Sequence, residues 1–206
     1  MIQTGWRTQP GKPTGIVGRI VGYIMDIYNR EDNHWTVSLL DIGETSKVLE
    51  IGFGTGLAIA DAAKIATRGY VCGIELSQTM LKVAQQRNQN AIQSGRVNLQ
   101  LGNVMALPFE DNFFDIVYSI NCIYFWEPPT QGLAEIYRVL KPEGTVAITA
   151  RNKDNEVYAR WKPNKVRDLL QSAGFVNVKT LNGLNPKHPI YCAIANKPLA
   201  SNNNQE

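Results

Sequence analysis

The chain has 206 residues, with 21 Lys and Arg against 18 Asp and Glu, a net charge of +3 and 44% hydrophobic content. That length holds one domain with a sizeable core and would leave a second independent domain cramped. The basic residues are scattered, with no run that would track a phosphate backbone, so nucleic acid is not an expected partner.

Residues 1–15 are rich in Gly, Pro and Thr and read as an irregular lead-in. Ile16, Val17, Ile20, Val21, Ile24, Ile27 and Tyr28 then recur at helical spacing and predict an apolar stripe on a helix. Gly18 and Gly22 within it would permit close approach of another element or a ligand. Arg19 and Asp26 interrupt the run, which is too short and too charged to span a membrane. Its polar face is poor in basic residues, which disfavours anchoring to a membrane surface. A second short helix is expected at 34–40, closed by a turn at 41–43.

Strands and helices alternate from there. A strand at 47–52 leads to a helix at 56–67, and a strand at 70–74 leads to a helix from Ser77, a good N-cap, to about residue 94, with Gly95 placed to end it. Further strands are expected at 97–101, 115–120 and 145–150. A turn at 110–112 precedes the second of these. A helix at 129–140, opened by a tolerated proline, and a turn at 141–144 precede the third. This alternation predicts a parallel sheet with helices on both faces. A polar connection at 151–164 and a helix at 165–173 lead to strands at 176–181 and 189–196. The loop between those strands, 182–188, is too short for a crossover helix, so the pair must be antiparallel.

The stretch KVLEIGFGTGLA, 47–58, organises the rest. It is a strand, a tight turn and a helix start, and in an open α/β sheet ligands bind beyond the carboxyl end of such a strand. Glycines at 52, 54 and 56 let backbone N–H groups approach a bound molecule. A dinucleotide turn needs G-x-G-x-x-G, but the third position falls on Leu57 counted from Gly52 and on Ile59 counted from Gly54. No GxxxxGK[ST] loop occurs. The pattern present, E-x-G-x-G-x-G from Glu50, disfavours NAD and ATP yet keeps a ribose-bearing ligand. Glu75 stands where an acid takes ribose hydroxyls.

Four segments, VLEIGFGTG (48–56), GIELSQTML (73–81), LGNVMALPFEDNFFDIVYS (101–119) and RVLKPEGTVAIT (138–149), together resemble the class I S-adenosylmethionine-dependent methyltransferases. The similarity is to the small-molecule group with the ubiquinone and menaquinone biosynthesis enzymes (methyltransferase type 11), and it covers roughly residues 40–196. It implies a Rossmann-like, doubly wound α/β fold. The sheet would have seven strands, mostly parallel with an antiparallel last strand. It further implies a cofactor-binding domain at 41–197 with an N-terminal helical lid at 1–40, and the polar tail at 198–206, ending SNNNQE, is expected to be disordered. The cofactor would be S-adenosyl-L-methionine, leaving S-adenosyl-L-homocysteine as product.

Carried over by position, the resemblance places Gly52, Gly54 and Gly56 along the methionine part, with Glu50 beneath its amino end. Glu75 would accept from the ribose hydroxyls, Leu76 would pack on the adenine, and Asn103 and Val104 would sit at the adenine's polar edge. Asn103 stands where most relatives have Asp, so that contact is expected to be weaker. The Asn121 carbonyl would face the methionine amino group.

The acceptor is less legible. Methyl transfer from a sulfonium needs no obligatory base, and Tyr124 and His34 are the only catalytic candidates; for His34, as for His188 in its loop, a structural or solvated role is the simpler reading. Amine and amide methylases of this fold carry (D/N)-P-P-(Y/F) after the fourth strand, whereas 121–126 reads NCIYFW, with Pro128 and Pro129 too late. Nucleobase amino-methylation is therefore disfavoured, and Trp126 is read as a packing residue. The short 151–164 connection leaves the N-terminal segment to build the acceptor pocket. Tyr23, Tyr28, Trp35 and Tyr124 are its candidates, giving an apolar pocket for a small or lipid-like acceptor. The alternatives are a cofactor-binding protein that has lost catalysis and an amphipathic membrane-surface protein. Cys72, Cys122 and Cys192 lie too far apart for CxxC pairing and no secretory signal is evident. Neither a metal site nor integral membrane association is expected, and the location is expected to be cytoplasmic.

Overall fold

Seven strands, β1 (Lys47–Ile51), β2 (Tyr70–Glu75), β3 (Val97–Leu101), β4 (Phe114–Ile120), β5 (Leu140–Arg151), β6 (Val176–Asn182) and β7 (Ile190–Asn196), form one sheet in the order β3-β2-β1-β4-β5-β7-β6. The computed structural model describes residues 15–199. The lead-in before residue 15 and the tail from residue 200 lie outside the described residues. The first five strands run parallel, and β7 is antiparallel to both neighbours. The strand order reverses between β1 and β4, so their carboxyl ends open side by side into a crevice.

Consecutive residues of the central strands feed opposite cores, as the two-residue period demands. Leu49, Ile51, Val117 and Ile148 pack on one face with Leu133, Ile136 and Val139 of α5 (Pro129–Val139) and with Val166 and Leu170 of α7 (Pro163–Ser172). Val48, Val71, Ile116 and Tyr118 pack on the other face with Ile59 and Ala62 of α2 (Leu57–Ile65) and with Leu81 and Ala84 of α3 (Gln78–Arg87). The remaining helices are α1 (Gly15–Ser38), which packs on α2 and α3, α4 (Gln89–Gln93) and α6 (Glu156–Ala159).

Four expectations change. The two N-terminal helices are one continuous α1, because the turn-forming side chains of Asn29 and Asp32 bond to the sheet ends instead of to their own backbone. The helix capped by Ser77, whose Oγ accepts from Met80 N–H at 3.2 Å, ends at Arg87 and restarts as α4. Asn88 makes the break and donates through Nδ2 to Gly56 O (3.0 Å) and Ala84 O (2.9 Å). The turn at 141–144 is a bulge inside β5: the pairing with β4 jumps from Phe114↔Leu140 to Ile116↔Thr145, and Glu143 has φ 64°. The polar connection after β5 contains α6, capped by Asn155 Oδ1 accepting from Tyr158 N–H at 3.1 Å.

The loop between β3 and β4 carries Asn103 and has no helix of its own. Arg138 of α5 holds it, donating to Leu107 O (2.9 Å), Phe109 O (2.7 Å) and Asp111 Oδ1 (2.8 Å), while Leu107 N–H donates to Glu135 Oε2 at 2.7 Å. Ile136, between Glu135 and Arg138 on the same helix, is fully buried in the core behind that loop. Ile136→Ala should cost about 2–5 kcal/mol of unfolding free energy in urea, the usual range for a cavity left in a packed core; a loss under about 1 kcal/mol would show that this core relaxes around the gap.

Candidate active site

The crevice at the ends of β1, β2 and β4 encloses about 970 Å³ of empty space, partly open to solvent. Its floor begins at Gly52, whose N–H still pairs with Ile74 O at 2.8 Å and continues the ladder one residue past β1. Gly52 has φ 74°, and a Cβ there would stand 2.2 Å from Cys122 Sγ, so this position admits only glycine. Gly54 has φ 52°, and a Cβ there would meet nothing within 4 Å, because the space beside it is the cleft.

Two buried carboxylates flank the turn. Glu75 Oε2 accepts from Gly54 N–H at 3.1 Å and its Oε1 accepts from Ser77 N–H at 2.8 Å. Burial raises the pKa of Glu75, and these backbone donors oppose the rise. Glu50 accepts from Tyr118 Oη at 3.1 Å, and burial lifts its carboxyl to about 8 despite that bond, with the charges of Glu75 and Asp61 adding to the rise.

α1 forms the roof. Gly22 makes the approach possible, since a Cβ there would lie 2.9 Å from Met80 Cε and 3.2 Å from Thr55 Cγ2. Asp26 bonds Thr55 Oγ1 and accepts from Arg87 Nη2 at 2.5 Å, while Arg87 also donates to Thr55 O at 2.9 Å. One turn and a half later, Asp32 Oδ2 accepts from Asn121 Nδ2 (3.0 Å) and from Arg151 Nη2 (3.2 Å). These two carboxylates fasten the helix to the glycine turn on one side and to the ends of β4 and β5 on the other.

Of the residues expected to hold the cofactor, Glu50, Gly52, Gly54, Glu75, Leu76, Asn103, Val104 and Asn121 all line this cleft. Gly56 does not. It opens α2 with φ 74°, and a Cβ there would strike Ala84 Cβ at 2.7 Å and Asn88 Nδ2 at 2.8 Å, so its role is packing against α3. Asn103 faces the cleft and also forms a local turn, its Oδ1 accepting from Met105 N–H at 3.1 Å. Asn121 has φ 52°, and its Oδ1 accepts from Tyr124 Oη at 3.2 Å.

The acceptor-side candidates Tyr23, Tyr28, Trp35, Tyr124 and His34 are not among the residues lining this cleft. Tyr23 and Tyr28 are 69% and 64% exposed on the outer face of α1, with Ile20, Ile24 and Ile27 beside them. The side chains of Ile16, Val17 and Val21 lie outside the described set. Trp35 packs against the core of the α2 face. Tyr124 sits behind the cleft, its hydroxyl bonded to Arg151 N–H and its ring edge-on to Tyr158 at 4.9 Å, and burial raises its phenol. His34 Nδ1 lies 2.7 Å from Asp61 Oδ2, joining α1 to α2 away from the cleft. His188 is exposed. Trp126 is buried as expected, but it also lines the cleft, next to Phe125. Asp26, Asn29, Asp32 and Asn33 were missed, because polar residues on an amphipathic helix ordinarily face water; the close pair Gly18 and Gly22 was the signal for this face.

A family model described as a methyltransferase domain matches residues 49–148. The chain is 32% identical over 183 residues to the uncharacterized methyltransferase YdaC of Bacillus subtilis, covering 87% of this chain and 98% of that one. It is 42% identical over 115 residues to a demethylmenaquinone methyltransferase of Symbiobacterium thermophilum, covering 55% of this chain and 46% of the relative, so it spans about half that protein's length. The solved structure of a SAM-dependent methyltransferase from Aquifex aeolicus shares the fold, with a TM-score of 0.72 at 21% identity over 87% of this chain and 97% of that one. The chain belongs to the S-adenosylmethionine-dependent methyltransferase family. No helix among the described residues is long and apolar enough to cross a membrane.

Two outcomes follow from the turn. Gly54→Ala should cost about 1–2 kcal/mol of stability for its left-handed backbone and weaken S-adenosylhomocysteine binding tenfold or more by calorimetry, about 1.4 kcal/mol, because the methyl group fills the cleft. The folded-state pKa of Glu50 is raised from 4.5 to about 8, so its contribution to stability is complete below pH 4.5 and fades as pH rises through 8. Glu50→Gln should therefore flatten the fall in unfolding free energy across that window, and an unchanged slope would assign the fall to other groups.

Proposed function

We propose that the enzyme transfers the methyl group of S-adenosylmethionine to a small organic acceptor by in-line displacement in the cleft beneath α1. The observation that carries this is the bond from Gly54 N–H to Glu75 Oε2, which sets a bare, left-handed glycine turn beside a buried carboxylate at the switch point of the sheet. The donor set suits the cofactor. Glu75 keeps lone pairs for two vicinal hydroxyls after serving Gly54 and Ser77. Gly52 and Gly54 leave backbone where a methionine chain needs room. Glu50 offers an acid below that turn for an ammonium group.

Bound S-adenosylmethionine supplies a methyl group on a cationic sulfur, electrophilic enough that an acceptor heteroatom or carbanion can displace it. The chain's own work is then positioning and exclusion of water. Leu76 and Val104 bracket an adenine ring. Asn103 spends one oxygen lone pair on Met105 N–H, and its amide nitrogen is free to donate to a ring nitrogen of the adenine, a bond an ionised Asp could not make. Asn121, held on both sides by Asp32 and Tyr124, turns the chain so that its carbonyl meets the ammonium. The exposed ring of Phe125 is available to a sulfonium or to an acceptor.

Thermal melts test this reading. S-adenosylhomocysteine should raise the melting temperature and NADH should not, and a response to NADH alone would overturn the assignment. Calorimetry at pH 6–7 in buffers of different ionisation enthalpy should show a proton released on S-adenosylmethionine binding, because an ammonium beside Glu50 reverses the burial that keeps it protonated. Glu50→Gln should abolish that release.

A further inference from the structure

We infer that the acceptor is a water-soluble molecule with hydroxyl, carbonyl or amine groups, recognised by the carboxamides of Asn29 and Asn33 on α1. This deepens the methyl-transfer reading and rests on it. The side of α1 turned to the cleft is polar: Asp26, Asn29 and Asn33 line it, whereas Tyr23 and Tyr28 of the same helix face outward. Most polar groups under the roof are already used. Asp26 serves Thr55 and Arg87, and Asp32 serves Asn121 and Arg151. Asn29 spends only its oxygen, accepting from Arg151 Nη2 at 2.5 Å. Its Nδ2 and the whole Asn33 carboxamide have no hydrogen-bond partner among the described residues.

Residues four apart on a helix stand one above the other, so these two amides present donors and an acceptor to the same volume. The floor of the cleft, from Glu50 through Asn103, is taken by groups suited to the methyl donor. What remains for the acceptor is the roof, with the half-exposed ring of Phe125 and the indole of Trp126 beside it. An acceptor without polar groups would strip water from both amides and return nothing, the situation in which a site built for hydrogen bonds rejects an analogue that lacks them. The chemistry that fits is a small, hydrogen-bonding molecule with a compact apolar or aromatic part against Phe125.

The test supplies S-adenosylmethionine and the full chain with two fractions of one cell extract, methanol–water-soluble and chloroform-soluble, and measures S-adenosylhomocysteine released. Release is expected from the water-soluble fraction. Asn33→Leu should lower it about tenfold or more and Asn33→Ser by less, while both variants bind S-adenosylhomocysteine within about twofold of the parent by calorimetry. Release from the chloroform-soluble fraction alone, release from neither fraction, or a Leu variant as active as the parent overturns the inference. Failure of the parent to bind S-adenosylhomocysteine at all would instead strike at the methyl-transfer reading.

Discussion

The bond between Gly54 N–H and Glu75 Oε2 governs the site because it spans the first gap in the sheet. β1 and β2 pair in register to Ile51↔Ile74, and Gly52 extends the ladder by one bond. Past that point the two chains part, one to α2 and the other to α3, and their backbone donors lose strand partners. A carboxylate that accepts from both sides of the split, Gly54 and Ser77, holds the gap at a fixed width. Gly56 then sets how closely α2 approaches α3, through its contact with Ala84 and Asn88. The floor of the cleft is in this sense a sheet ending that has been tied off with one side chain.

The roof obeys a different logic. Asp32 and Arg151 form a nearly buried pair, and such pairs add little net stability because desolvation offsets attraction. Removing one partner is costly, because the other is left charged and unpaired. The pair therefore fixes orientation more than it adds energy. It selects the one rotation of α1 that turns Asp26, Asn29 and Asn33 inward and leaves Ile20, Tyr23, Ile24, Ile27 and Tyr28 in water.

That choice of face is where reading the sequence went astray. Strand positions, the cap at Ser77, the antiparallel final pair and the left-handed glycine turn were legible, because a two-residue period and left-handed glycines are constraints within a few residues of chain. The inward face of α1 was not legible. An apolar stripe reveals that a helix is amphipathic but not which side is covered, and the element it covers here is a sheet end bearing carboxylates. Asn88 and the bulge in β5 escaped for a related reason. Each answers to a partner distant in sequence, Gly56 in one case and the β4 pairing in the other.

Cys122 stands against Gly52 and lines the cleft proposed to take an alkylating sulfonium. A thiolate there would be the best nucleophile in the site and the first to be methylated. Burial pushes this thiol up to about 12, with the nearby carboxylates Glu75 and Glu50 adding to the rise. The anion is the form that attacks, so burial holds the sulfur in its less reactive, protonated form. Packing the sulfur away from solvent therefore protects it from alkylation more than any neighbouring charge does.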